Sequence, residues 1–428
     1  METGYLVIVF ILIGCLASTI PVFISLFFTG MIGLVYMVGI DPQIVIEVLY
    51  RSMDKFALIV VLFFVLCGNI MTTGSIVEKL IKAANVMVGF LPGGLAMAGV
   101  LACGFFGAIS GSTVATVVAI GSFMIPALID NKYDEKFSVG LMTTAPILGV
   151  IVPPSIAMIL YAMVSNDQLE ALFLTGFIPG LCIMLAMSLY AYFFCKRMGM
   201  TRRPRPSLSE VAATLRESIW ALFLPVLIFG GIYSGLFTAN EAAVVACFYA
   251  FFVETCIHRD MKFRSLKRVV VQSAITSATL LVIVAGASVF GEYLTFEQIP
   301  GKIATVVVDN ISSQWVFLLS VNVLLLIIGM FMDIISATLI LTPIFLPLLA
   351  KFGIDTMHFG LLMTINLGIG YCTPPLGVSL YISGATVNKD IVYVSKAVLP
   401  FLLIQIGILL LMTFWPGLVL MLPRLVYG

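Results

Sequence analysis

Apolar runs of spanning length follow one another along almost the whole of this chain, divided only by short charged stretches and turn residues. A bilayer core takes about 20 apolar residues per helical crossing, so the sequence has room for roughly ten to twelve crossings. No polar stretch is left that is long enough for a separate water-soluble domain. Composition agrees, with 61% of the 428 residues hydrophobic and 10% charged, and it excludes a soluble enzyme. A net charge of +1 offers no concentrated basic face for nucleic acid. The eight cysteines lie in or at the ends of apolar runs with no CxxC pair, which marks them as small core residues. No Lys or Arg precedes Arg51, so the apolar start lacks the basic region of a signal peptide and is expected to stay in the mature protein.

Split at charges and turns, the runs cover 5–20, 22–39, 56–73, 92–110, 112–129, 138–164 and 169–195, then 218–235, 240–257, 270–290, 314–332, 335–350, 357–383 and 396–421. The two sets share one rhythm. Residues share it too: Pro126, Asp134, Met142, Thr143, Gly149, Pro153 and Pro154 recur 221 positions later as Pro347, Asp355, Met363, Thr364, Gly370, Pro374 and Pro375. Five full spans plus a tight pair in each half place the halves in opposite orientations, the inverted repeat of secondary transporters. The expected fold is therefore an all-α polytopic membrane protein of about ten spans plus two re-entrant hairpins.

The linker with Lys196, Arg197, Arg202, Arg203 and Arg205, and the 258–268 loop with Arg259, Lys262, Arg264, Lys267 and Arg268, face the cytoplasm by the positive-inside rule. Both termini then lie outside, and the mixed 130–136 loop must face inward. Residues 74–90 and 291–313 mix Lys, Glu and apolar residues, a pattern expected for amphipathic helices lying along the membrane surface.

The tight pairs 92–129 and 314–350 turn at 107–113 and 332–338. The first turn carries glycines and hydroxyls and no charge, which suits a hairpin tip held at mid-membrane around a polar cavity. Each long segment holds a Pro-Pro, at Pro153-Pro154 and Pro374-Pro375, which removes two backbone donors and must break the helix. Half-helix C-termini then offer carbonyls to a small hard cation such as Na⁺, and N-termini offer N–H groups to a carboxylate. Asp333 is the one charged residue placed at membrane depth, where a charge costs roughly 2.5 kcal/mol or more. It is a candidate cation ligand, proton carrier or helix-tip cap. His258 in the basic loop and His358 at the start of a span pair with no Cys, Glu or second His at metal-ligand spacing and are assigned no chemistry. Trp220 and Trp315 lie at segment ends and are expected to anchor the interface.

At Ile20-Pro21-Val22, Gly111-Ser112-Thr113, Pro153-Pro154-Ser155, the 238–243 stretch around Thr238 and Glu241, Asp333, and the 373–377 stretch from Thr373 to Gly377, the sequence resembles the large membrane subunit of a tripartite ATP-independent periplasmic (TRAP) transporter. The resemblance implies a sodium-driven elevator in the bacterial inner membrane that accepts an organic acid (a C4-dicarboxylate, a sialic acid or another sugar acid) from a periplasmic substrate-binding protein. It also implies a partner, a small four-helix membrane subunit. By the same resemblance, one sodium site is expected at Ser110, Ser112, Gly149 and Pro153, and a second at Asp333, Ser336, Gly370 and Thr373. Substrate is expected at Gly111, Thr113, Pro154, Ser155, Thr338 and Pro375. The chain then divides into scaffold spans and surface arm (1–90), first hairpin and broken helix (91–195), basic linker (196–217), second scaffold set and arm (218–313), and second hairpin, broken helix and last span (314–428).

A stand-alone sodium/dicarboxylate symporter or ion antiporter of similar architecture is the alternative reading, separated by whether uptake depends on an added periplasmic protein. A channel would need a continuous polar lining. An intramembrane protease would need two aspartates at depth or a Ser/His pair. ATP-driven pumping would need a GxxxxGK[ST] stretch, which the chain lacks.

Overall fold

The computed structural model describes residues 2–18, 20–56, 58–200, 204–261 and 263–428. Among them every regular element is a helix, and nine helices are long and apolar enough to cross a membrane. Arg202, Arg203 and Lys262 of the basic stretches lie outside the described residues.

Helix starts are set by short polar side chains that accept the unpaired N–H groups of the first turn. Asp134 and Asp355, one repeat apart, accept from Phe137 and His358, and Asp390 accepts from Tyr393. Thr238 and Glu241 form a reciprocal capping box, with Thr238 N–H donating to Glu241 at 2.8 Å. Caps of this kind contribute typically about 1 kcal/mol each.

Four elements differ from the sequence expectation. Helix Pro42–Met53 occupies a charged stretch, started by Asp41 with proline in the first turn. Helix Phe263–Phe296 begins inside the expected 258–268 loop and runs on past 290, because Arg264, Lys267 and Arg268 are good helix formers and no breaker separates them from the apolar run. The second surface arm is thereby reduced to Ile299–Asn310, while the first is Ile76–Val88. The last run is also not continuous: Ile391–Phe414 stops before Pro416, and short helices Pro416–Val419 and Met421–Tyr427 follow.

Two groupings position the site. Leu58–Thr73 packs on Ala239–Phe252 and on Phe263–Phe296, which also packs on Val22–Ile32. The hairpins and interrupted helices pack on one another, Gln314–Phe331 on Thr356–Gly370 and Ile156–Ser165 on Ile334–Phe352. Several buried polar groups inside this second grouping find partners, as an apolar interior favours. Pro146 lies in a tight Ala145–Ile147 turn, and just before it the carbonyls of Thr143 and Thr144 accept from Cys372 Sγ and Gln405 Nε2. Asn366 donates to Asn322 and Asn322 to Thr413, each at 2.9 Å, joining three helices.

His258 corrects the expectation of an isolated loop histidine. Its side chain is 3% exposed and its Nδ1 lies 3.6 Å from Glu254, four residues earlier and fully buried. Glu254 accepts from the Ser75 and Ile76 N–H groups at 3.1 and 2.8 Å, so a spanning helix caps the first surface arm. The local π-helix at Val253–Ile257, which no spacing rule predicts, turns both side chains to that arm. Burial, then Lys79, hold the His258 imidazole below its ordinary value, against the opposing pull of Glu254 and Asp260. Glu254, His258 and Asp260 bring their ligand atoms within 4.8 Å of one another.

Candidate functional site: two hairpin tips and two Pro-Pro breaks

Helix Gly94–Ser110 ends where Gly111 takes φ +61°, a conformation open to glycine and strained for other residues. Ser112 then caps the 18-residue helix Thr113–Asp130, its hydroxyl accepting from Ala115 N–H at 3.4 Å. Thr116 Oγ1 donates to the Ser112 carbonyl at 2.8 Å and lies 3.4 Å from Ser110 Oγ. The first interrupted helix stops at Ile151, passes through the cis Pro153–Pro154 bond, and restarts at Ile156 under a Ser155 cap. Tip and break fit as one unit because glycines stand between them. A Cβ on Gly149 would sit 2.6 Å from the Ser112 carbonyl oxygen, and one on Gly107 would sit 2.8 Å from Gly149 Cα. Ile156 N–H closes the contact by donating to the Gly111 carbonyl at 3.3 Å. Pro153 and Pro154 supply no N–H to the carbonyls of Gly149 and Val150, four residues before each. Among the described residues neither carbonyl accepts a bond from the loop that follows.

The second unit is built differently. Met332 and Asp333 are extended, and the Asp333 carboxylate caps Ile334–Phe352 by accepting from Ser336 N–H at 2.8 Å. Gly370 packs on Gly329 so closely that a Cβ there would lie 2.4 Å from the Gly329 carbonyl carbon. The Tyr371 hydroxyl accepts from Ile334 N–H at 3.0 Å, tying tip to break. Just before the cis Pro374–Pro375 bond Thr373 N–H donates to Gly370, and after it the chain folds back so that Ser379 N–H donates to Tyr371, each at 3.0 Å. Thr373 Oγ1 donates to Ile369, and Ser336 Oγ is buried with no partner.

Both units open on one cavity of about 530 Å³. Ser110, Gly111, Ser112 and Thr113 line it from the first tip, Ile156 and Ala157 from the first break, and Ile334, Ile335 and Tyr371 from the second unit. Thr113 is 1% exposed and its hydroxyl has no partner. Asn69 and Thr72 of Leu58–Thr73, with Gln272 and Thr276 of Phe263–Phe296, form the opposite wall, and Asn69 donates to Ser273 at 2.8 Å between those helices. No described lining residue carries a charge.

Of the residues expected from the sequence, Ser110, Gly111, Ser112 and Thr113 reach the cavity directly. Gly149 and Pro154 stand behind the first tip; Pro153 and Ser155 are buried in the break itself. Asp333, Ser336 and Gly370 gather at the second tip, while Thr338 lies further along its helix, 2% exposed. Thr373 and Pro375 do not line the cavity, and Pro375 is exposed. The opposite wall and Tyr371 were missed. The available signal was the four-residue spacing of Gln272 and Thr276, which puts both on one helix face.

Long apolar helices around a cavity whose described lining carries no charge mark a multi-pass membrane protein. Residues 9–418 match the family described as "Tripartite ATP-independent periplasmic transporter, DctM component". A C4-dicarboxylate TRAP transporter large permease protein DctM of Rhodobacter capsulatus is 36% identical, with 98% of this chain and 99% of that one covered. The protein of the same name from Pseudomonas aeruginosa is 40% identical over 88% of each chain. A sialic acid TRAP transporter large permease protein SiaM of Vibrio cholerae is 34% identical over 97% of each. The chain belongs to the DctM large-permease family of TRAP transporters. The solved YdaH transporter of Alcanivorax borkumensis, described as having an unusual topology, shares the fold with a TM-score of 0.64 at 15% identity, covering 88% of this chain and 90% of that one. The relatives are named as permeases, not as enzymes.

Proposed function

We propose that this chain is the large permease of a sodium-driven system in the bacterial inner membrane, with both termini periplasmic. It takes up an organic acid, namely a C4-dicarboxylate, a sialic acid or another sugar acid. A periplasmic binding protein delivers the acid, and a small four-helix membrane subunit completes the complex. The observation that carries the reading is the convergence of both hairpin tips on one uncharged cavity that other helices also line with amides and hydroxyls. A cavity split between two bodies changes its access when one slides past the other, which is the elevator motion proposed here. The recurrence of caps and breaks 221 positions apart supports an inverted repeat as its frame.

Sodium is favoured by the donor set. Gly149, whose carbonyl Pro153 releases, packs its Cα against the Ser112 carbonyl and the Thr116 hydroxyl, which itself lies 3.4 Å from the Ser110 hydroxyl, so the corner is rich in oxygen ligands suited to a hard cation. At the second tip the Asp333 carboxylate and the unpartnered Ser336 hydroxyl offer a second oxygen set. A cation there would draw tip and break together and so fix the cavity wall before substrate enters. Reconstituted with its small subunit and receptor, the chain should accumulate substrate only under an inward sodium gradient. Equal uptake with choline or potassium in place of sodium defeats the sodium reading, and uptake by the chain alone defeats the tripartite one.

A further inference from the structure

The cavity has two chemically different sides. On one side two helix N-termini converge, Thr113–Asp130 and Ile156–Ser165, capped by the neutral side chains of Ser112 and Ser155. The Ile156 N–H is taken by the Gly111 carbonyl, and the other first-turn N–H groups leave a partial positive charge that no carboxylate cancels. The buried, unpartnered Thr113 hydroxyl adds a donor at the same corner. One carboxylate is matched there. The third N-terminus near the cavity, at Ile334, is already cancelled by the carboxylate of Asp333. A cation beside Asp333 would bring that tip to neutrality and no further.

The other side of the lining is Asn69, Thr72, Gln272 and Thr276 of two further helices, with Thr72 and Gln272 exposed. It is neutral and able both to donate and to accept, with no Lys, Arg or His among the described lining residues. A second carboxylate placed there would find no positive partner, whereas hydroxyl groups would find amide and hydroxyl partners at little cost. At about 530 Å³ the cavity lies within the range of sites for medium-sized ligands, roughly 300–1,000 Å³, and exceeds what a four-carbon acid needs.

We propose that the cavity selects a polyhydroxylated monocarboxylate, a sugar acid held by its carboxylate at Ser112 and Thr113 and by its hydroxyls at Gln272, Thr276 and Asn69, and that it discriminates against dicarboxylates. This rests on the organic-acid reading above and narrows it. Selectivity then resides in the permease as well as in the receptor, and half of it sits on the helices opposite the hairpins.

The test measures dissociation constants for D-gluconate, succinate and D-lactate on the purified complex of this chain with its small subunit, in sodium, without receptor. Gluconate should bind at least tenfold more tightly than succinate. The paired change Gln272→Leu and Thr276→Val should weaken gluconate about tenfold, the loss of one to two hydrogen bonds, and leave lactate within twofold. Thr113→Val should weaken all three. Equal or tighter binding of succinate, or gluconate binding untouched by the paired change, overturns the inference while leaving an organic-acid permease in place. Binding of none of the three overturns the inference and the organic-acid reading together.

Discussion

The two Pro-Pro breaks start from the same sequence device and end in different chemical states. In the first, every residue from Gly149 to Ser155 is buried, and the carbonyls released by Pro153 and Pro154 stay available. In the second, Gly370 and Tyr371 are satisfied by donors from Thr373 and Ser379, and Pro375 and Leu376 are exposed, Leu376 by 46%. The cause lies just beyond the prolines. Ser155 starts a new helix at once, whereas Leu376 and Gly377 insert a short loop that brings the Ser379 N–H back over Tyr371, while Thr373, ahead of the prolines, already meets Gly370. A repeated motif fixes where a helix stops; the residues after it decide whether the freed groups are spent at home or kept for a ligand.

The largest expected effect separates the breaks directly. Replacing Pro153 and Pro154 by alanine returns N–H groups to the Gly149 and Val150 carbonyls, and the sodium concentration for half-maximal uptake should rise tenfold or more, since a missing ligand interaction is worth about 1–3 kcal/mol. The same exchange at Pro374 and Pro375 should shift it severalfold less, because those carbonyls already have partners. Equal shifts at both sites would erase the contrast.

Next in size is Asp333→Asn, which keeps the cap geometry and removes the charge. Sodium dependence of uptake should weaken by about tenfold with expression intact, an amide being cheaper to bury than a carboxylate. Loss of pH coupling with sodium dependence unchanged would make Asp333 a proton carrier instead. Tyr371→Phe sharpens the comparison at the second tip alone: it strips the acceptor from the buried Ile334 N–H, a loss of about 1–3 kcal/mol readable as a lower melting temperature. The first tip, tied through Ile156 and Gly111 backbone, has no side chain whose removal does the same.

The smallest effect lies outside both breaks. Because burial and Lys79 depress the His258 value, the unfolded chain binds more protons than the folded one between the two values. The stability contributed by neutral His258 is full above its ordinary value, near 6.5, and is lost as pH falls through the depressed one. Melting of the detergent-solubilised chain should therefore decline as pH falls from near 6.5 toward the depressed value, and His258→Gln should flatten the decline. An unchanged slope would show that Glu254 and Asp260 govern that corner.

Tips and breaks were legible in the sequence because glycine and paired prolines act locally, on the residues four positions away. Their contacts were not, since the approach of Gly149 to Ser112 joins parts of the chain that only the fold brings together. The far wall was hidden for a different reason: a single Asn69 or Gln272 in an apolar run signals nothing until its facing helix is known. Arg264, Lys267 and Arg268 read as a loop by charge but form a helix by propensity, so the charge pattern marked a membrane boundary and not the end of an element.

The surface arms have a mechanical consequence. Arm Ile76–Val88 is pinned at its start by Glu254, and only residues 89–93 join it to the first hairpin; residues 311–313 do the same for the second. Extended chain spans at most about 3.3–3.6 Å per residue, so these tethers reach roughly 18 and 11 Å. In the elevator motion proposed above, any stroke of a hairpin longer than its tether would have to tilt the arm with it, and each arm would act as a crank whose throw limits that travel.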